Sequence, residues 1–367
     1  MLQINFYIMR NTVFVLGLIA FMLGGCSDKV KEVQSSGEPF GMNVACADFG
    51  SIFPGTYNKD YTYPTDSDLV YWQKKGFRLI RMPFKWERLQ YELGGELNQY
   101  DLNKMKDFIV AAQKRNIKVL LDLHNYCRRF KDGGHRIIGT HGITNEHYAG
   151  FWKKIAQEFM KYDNIYGYGL MNEPHDLPDS LSWFCMAQLA IDSIRTVDSE
   201  NTIVVGGNSW SSAKKWLDAS DTLKHLKDPA DNLKFEAHCY FDKDGSGTYK
   251  YSYEDEEGTP EKGVELVSSF VAWLKENQLK GFVGEYGIPD NDPRWEVTLD
   301  NFLAYLSENG VNGTYWASGP WWGKGAAMVV PTYKGGQEYP QVRVLEKYLT
   351  TRKLSLIHIS EPTRRTP

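Results

Sequence analysis

The chain has 367 residues and a formal charge of −4, with 42% hydrophobic and 24% charged residues. These ordinary globular values exclude disorder, collagen, coiled coil and a multi-span membrane protein, and a pI near 6.1 argues against a basic face that tracks phosphates, so no nucleic-acid partner is expected. The outlier is aromatic content, 14%, with 11 Trp and 22 Tyr; such side chains fill cores, and they also stack on flat, hydroxyl-rich ligands such as sugar rings.

In chain order, Arg10 precedes an apolar run, Val13 to Leu23, which ends Leu23-Gly24-Gly25-Cys26. A positive residue, a run too short to span a bilayer and small residues at its end read as an export signal over residues 1–26. The last four of these resemble a bacterial lipobox, which implies lipidation of Cys26 and a polar leash over residues 27–39. The expected location is therefore outside the cytoplasm, with membrane contact only through the lipid; plain secretion is the alternative. At the far end, residues 354–367 read as translated sequencing-adaptor sequence and are left out of fold reasoning. Of the body cysteines, Cys46, Cys127, Cys185 and Cys239, none forms a Cys-x-x-Cys pair, so they read as small buried hydrophobes.

Residues 40–353 alternate. Apolar or β-branched runs recur at Phe40–Ala47, Phe77–Phe84, Lys118–Asn125, Tyr166–Glu173, Asn201–Trp210, Leu233–Phe241, Gly281–Ile288 and Gly313–Gly319. Helix-period stretches lie between them, over Leu102–Asn116, Tyr148–Tyr162, Ser180–Val197, Gly263–Asn277 and Trp295–Asn309. Length alone suggests two domains. Eight strand–helix units with no interior linker instead predict a single α/β domain closed as a (β/α)8 TIM barrel. An open doubly wound sheet would want a Gly-rich phosphate turn after the first strand, and Asn43 to Gly50 supplies none.

In a barrel, chemistry gathers at the carboxyl ends of the strands. Here those ends carry Arg81, His124-Asn125, Asn172-Glu173-Pro174, His238-x-Tyr240, Glu285 and Trp316. Any one of these has an ordinary structural reading; six polar strand ends in order do not. Glutamates on the fourth and seventh strands face each other across the mouth, which suits glycosidic cleavage with retention if their carboxyl groups lie about 5–5.5 Å apart. Glu285 is the expected nucleophile and Glu173 the acid/base, held protonated by repulsion from ionised Glu285. Arg81 and Tyr240 are expected to keep Glu285 charged, and Asn172 to grip the sugar 2-hydroxyl.

The same set is similar to glycoside hydrolase family 5, a large cellulase family with a (β/α)8 barrel, over Phe40 to Gly323. Tyr63-Pro64-Thr65, Trp86-Glu87-Arg88 and Gly319-Pro320-Trp321-Trp322-Gly323 further resemble its endo-β-1,4-glucanase branch. The resemblance implies Glu173 as acid/base, Glu285 as nucleophile, and Arg81, His124, Asn172, His238 and Tyr240 around them, with Trp316 a platform under the sugar. Asn125, Trp210 and Trp322 are further expected sugar contacts, while Trp152, Trp183 and Trp273, lying mid-helix, are expected in the core. The charged loop Cys127 to Gly139 is unusual for this branch and bears on subsite preference.

Asp242-Lys243-Asp244-Gly245-Ser246-Gly247 imitates an EF-hand start, but Tyr253 stands where a bidentate Glu is needed. No metal-ligand spacing of the zinc-hydrolase kind occurs, and neither metal nor cofactor is expected. The predicted activity is endo-cleavage of β-1,4-glucan by a monomer, and the acidic body favours an uncharged polysaccharide. The alternatives are a β-mannanase or another β-1,4-glycanase of the family and, in a different class, a non-catalytic glycan-binding lipoprotein.

Overall fold

The computed structural model describes residues 38–322, 328–330 and 338–349. The export signal with Cys26, most of the leash and the adaptor-like tail lie outside the described residues. Eight parallel strands close into a barrel: β1 (Gly41–Val44), β2 (Leu79–Phe84), β3 (Lys118–Leu123), β4 (Ile165–Gly169), β5 (Thr202–Gly206), β6 (Leu233–His238), β7 (Gly281–Glu285) and β8 (Asn312–Ser318). Each pairs with its neighbours in sequence, and β8 closes on β1. Helices follow the strands and cover the barrel's outside, among them Gln99–Gln113, Asn145–Phe159, Trp183–Arg195, Lys262–Glu276 and Arg294–Glu308. Among the described residues, no helix is long and apolar enough to cross a membrane.

Side-chain alternation sorts the strands into two faces. Ile80, Met82, Val119, Leu121, Ile203, Val205, Phe235 and Val283 point outward into the large core shared with the helices, where Trp152, Trp183 and Trp273 are buried as expected. Leu79, Leu120, Tyr166, Val204 and Phe282 form a separate cluster in the lumen. Above them the inward positions turn polar: Asn43, Arg81, Asp122, Glu236 and Thr314, all buried. This layer is the floor of the site.

Four of the five expected helices start one to three residues before their apolar periodicity does. Asn98 accepts the Tyr100 N–H at 2.9 Å, and Thr144 and His147 form a capping box, so the first turns are polar and carry no apolar signal. A hairpin, Arg128–Lys131 with Gly134–Ile137, occupies the charged loop after β3. Its turn is Asp132-Gly133, both left-handed at φ 49° and 74°, the sequence signal for a two-residue hairpin and one the strand-by-strand reading passed over. All four body cysteines are free; Cys46, Cys127 and Cys239 are buried as expected, but Cys185 is exposed.

Candidate active site

The site grows from one buried cation. Arg81, on an inward position of β2, has a fully buried side chain. One terminal nitrogen donates to Glu285 Oε1 at 3.0 Å and Asn43 Oδ1 at 2.9 Å. The other reaches Asn172 Oδ1 at 2.8 Å, Glu236 Oε1 at 2.9 Å and Asp122 Oδ1 at 3.1 Å. A guanidinium buried without partners would cost several kcal/mol, so this ring of acceptors is what permits it there. Arg81 is thereby fixed, and it fixes Glu285.

Glu285 reaches the lumen through an irregularity. β6 and β7 pair in step up to Ala237 with Val283, then His238 pairs with Glu285, so one extra residue is inserted on β7. Outward Val283 is thus followed by an inward Glu285. Tyr240 donates its hydroxyl to Glu285 Oε2 at 2.8 Å, as expected. Burial pushes Glu285 up to about 7, against the lowering pull of His238 and Arg81.

Glu173 follows β4 in a left-handed turn, φ 47°. Its Oε1 lies 2.8 Å from His238 Nδ1, and its side chain keeps 18% exposure against 6% for Glu285. One oxygen of each glutamate and one ring nitrogen of His238 all lie within 4.8 Å of one another. Burial works against a charged His238, but Glu285 and the bonds to Glu173 and Glu236 outweigh it and carry it up to about 10. Repulsion was expected to act mainly on Glu173. On Glu285, the more buried acid, it is a lesser contribution, because burial does most of the raising, and Glu173 shares a hydrogen bond with His238.

The three donor atoms are near enough to share a divalent cation, but His238 faces a carboxylate through each nitrogen, the second being Glu236 at 3.1 Å. Both nitrogens then act as N–H donors and leave no lone pair for a metal. Asp242, which opens the EF-hand-like stretch, turns inward on its own loop. Its carboxylate accepts the Gly247 and Thr248 N–H groups and the Ser246 hydroxyl, organising its own turn.

His124 is held neutral, burial lowering it to about 3, with Nδ1 2.8 Å from Asp122 and Nε2 3.3 Å from Asn172 Nδ2. Asn172 is thus committed to Arg81 through oxygen and to His124 through one N–H, and keeps one N–H to offer. Trp316 lies nearly parallel to His124, 5.4 Å between centroids, and Trp322 meets it edge-on at 6.1 Å. Trp322 is half-buried against Phe49 and donates to Ser318 O at 3.0 Å, so it buttresses Trp316. Trp210 is 43% exposed and stacks on His175 at 4.5 Å.

Asn125 departs from expectation. It is buried, accepts the Trp86 N–H at 3.0 Å and donates to Glu87 at 2.9 Å and to Arg128 O at 3.0 Å. Both of its amide hydrogens are spent tying the turn after β2 to the hairpin, so it has no donor left for a sugar hydroxyl. The charged loop is structural in the same way: Arg128 donates to Tyr126 O at 2.6 Å and His175 O at 3.1 Å, and Arg129 covers Trp86 and donates to Tyr91 O at 3.0 Å. Sequence reasoning missed Asn43, Asp122 and Glu236. Asp122-x-His124 and Glu236-x-His238 place polar residues two apart within apolar strands, a spacing that marks one inward face.

The family model described as Cellulase (glycosyl hydrolase family 5) matches residues 33–321. A probable endo-beta-1,4-glucanase B of Neosartorya fischeri is 33% identical over 316 residues, 84% of this chain and 91% of that protein. The solved Pseudomonas stutzeri endoglucanase Cel5A, in complex with cellobiose, has a TM-score of 0.79 at 39% identity, covering 85% of this chain and 92% of the other. XacCel5A, solved in complex with cellopentaose, has a TM-score of 0.78 at 37% identity over 85% and 99% of the two chains. With one closed barrel, a polar floor and a family match across most of its length, this chain belongs to glycosyl hydrolase family 5.

Proposed function

We propose that the chain hydrolyses internal β-1,4-glucosidic bonds of cellulose and related β-glucans with retention. The observation that carries this reading is the pair Glu173 and Glu285, with one oxygen of each inside 4.8 Å, which suits a retaining pair, separated by about 5–5.5 Å, better than an inverting one, separated by about 6.5–9.5 Å. Roles follow from the surroundings. Glu285 receives Arg81 and Tyr240 as donors, which suits an anion. Its oxygen attacks the anomeric carbon, the bond to the leaving oxygen breaks, and Glu173 delivers that oxygen a proton. Water then loses a proton to Glu173, its oxygen bonds to the anomeric carbon, and Glu285 is released. The proton is drawn from the hydrogen bond Glu173 shares with His238. Asn172 offers its remaining N–H to the 2-hydroxyl, and Trp316 supports the ring.

The endo-β-1,4-glucanase names of the relatives support the substrate class. Glu285→Gln is expected to cut turnover of carboxymethylcellulose by several orders of magnitude while leaving binding. The first product anomer, followed by NMR, should be β. An α product, or full activity in Glu285→Gln, would overturn the reading. Export through a lipidated Cys26 belongs to the same proposal, because a polymer too large to enter the cell must be met outside it. Mass spectrometry of the mature N-terminus tests that part, and an unmodified chain beginning beyond Cys26 would sink it.

A further inference from the structure

We propose that the leaving-group half of the cleft accepts a carboxylate-bearing sugar, a preference opposite to the one the acidic body suggests. The inference rests on Glu173 acting as the proton donor. A cavity of about 500 Å³ adjoins the catalytic cluster, lined by Glu173, His238 and Tyr240 but by neither Glu285 nor Trp316. Space that reaches the acid and not the nucleophile is where the departing sugar lies. Trp210, 43% exposed, supplies that space with a stacking face.

Four ammonium groups border the cavity: Lys214 and Lys215 after β5, Lys243 after β6, and Lys262 at the start of Lys262–Glu276. Lys243 pairs with Glu257 at 2.8 Å, Lys262 lies 3.9 Å from the same carboxylate, and Lys214 acts on it from farther off, so three cations share one anion. Lys214 and Lys215 are exposed and make no ion pair among the described residues. Asp242 and Asp244 stand in the same wall, and hydrogen bonds from N–H groups leave a carboxylate's charge in place, so with Glu257 they offset three of the four cations. Asp242 turns both oxygens into its own loop, and Asp244 accepts the Ser246 N–H at 3.0 Å. One positive charge is left over, on the side where Lys214 and Lys215 are exposed, in a molecule whose formal charge is −4. A glucan oxidised at C6, or carrying a carboxymethyl or uronic-acid group, can stack a ring on Trp210 and place its carboxylate at these ammonium groups.

The test compares carboxymethylcellulose with hydroxyethylcellulose of matched length. Each exposed ammonium–carboxylate contact is worth up to about fivefold. In Lys214→Gln with Lys215→Gln, the ratio of kcat/KM on the anionic polymer to that on the neutral one should fall about fivefold at low salt. Screening should erase the difference at high salt, and Lys214→Glu with Lys215→Glu should deepen it. An unchanged ratio at low salt overturns the proposal. Affinity electrophoresis in the two polymers asks the same question without turnover. If neither polymer is cleaved, the glucanase reading falls, and the lysines are still judged: retardation by the anionic polymer that depends on salt and on Lys214 and Lys215 supports them, and equal retardation of variant and parent overturns them.

Discussion

Glu285 shows how one side chain can be both strained and useful. Burial raises its carboxyl to about 7, and Arg81, His238 and Tyr240 pull the other way. A nucleophile must be ionised, so kcat/KM falls as pH drops through that value, and the acid limb should sit above the ordinary carboxylate range of about 4.3. Tyr240→Phe removes a donor that favours the ionised form, so the pKa rises and the acid limb moves upward. A hydrogen bond to a charged group is worth about 1.5–3 kcal/mol, which is about one to two pH units. A merely structural Tyr240 would lower the rate without moving the limb, so the pH profile of the variant decides. At this scale the sequence was legible wherever a strand end carried an unusual polar residue, as at Arg81, Glu173 and Glu285. It misled at Asn125, because a strand-end amide looks the same whether it faces a sugar or, as here, Trp86 and Glu87.

Elements were legible through their periodicity and illegible where periodicity is broken on purpose. β7 reads Gly-Phe-Val-Gly-Glu, whose simple alternation would put Glu285 on the outward face with Val283; the inserted residue beside Ala237 reverses it. The turn Ser209–Ser211 is a second case. Its three residues are left-handed at φ 52°, 60° and 53°, a conformation that costs about 1–2 kcal/mol per residue and that no propensity announces. Bonds from Trp210 N to Pro174 O at 3.2 Å and from Ala213 N to His238 O at 2.9 Å hold it against the turn that carries Glu173 and against the end of β6. Gly284 makes the irregularity of β7 possible, because a Cβ there would stand 1.8 Å from Glu236 Oε1. That carboxylate is pinned between Arg81 and His238 and cannot step aside cheaply. Gly284→Ala should therefore cost about 1–3 kcal/mol of stability and about a hundredfold in kcat as Glu236 and Arg81 shift beneath Glu285. Gly150→Ala, mid-helix with nothing within 4 Å of the added carbon, should instead gain about 0.5–1 kcal/mol. Denaturant midpoints and kcat for the pair check both, and a neutral Gly284→Ala would contradict the pinned carboxylate.

The whole molecule separates chemistry from stability along the barrel axis. At the bottom end, Lys234 on β6 donates to Glu38 and, at 2.6 Å, to the Tyr166 hydroxyl, which itself donates to Glu38 at 2.5 Å. Asn312 joins by donating to Tyr166 at 3.1 Å and to Pro39 O at 2.9 Å. The segment entering β1 is thus stitched across the lower mouth to β4, β6 and β8. His238 lies four residues farther along the same strand as Lys234, about 13 Å at 3.3 Å per residue. Lys234→Met should break the stitch and cost about 1.5–3 kcal/mol, since Glu38, 41% exposed, can turn to water once its partner is gone. The rate constant kcat should not move. The pH dependence carries a sign of its own. Lys234 and Tyr166 hold the Glu38 carboxyl below its ordinary value, outweighing the effect of burial. Its contribution is therefore present above the unfolded carboxylate pKa, about 4.3, and is lost as pH falls through the lower folded value. Urea midpoints of parent and Lys234→Met should accordingly differ near neutrality and draw together in acid. A variant that loses turnover in step with stability would show that the two ends of this barrel are not independent.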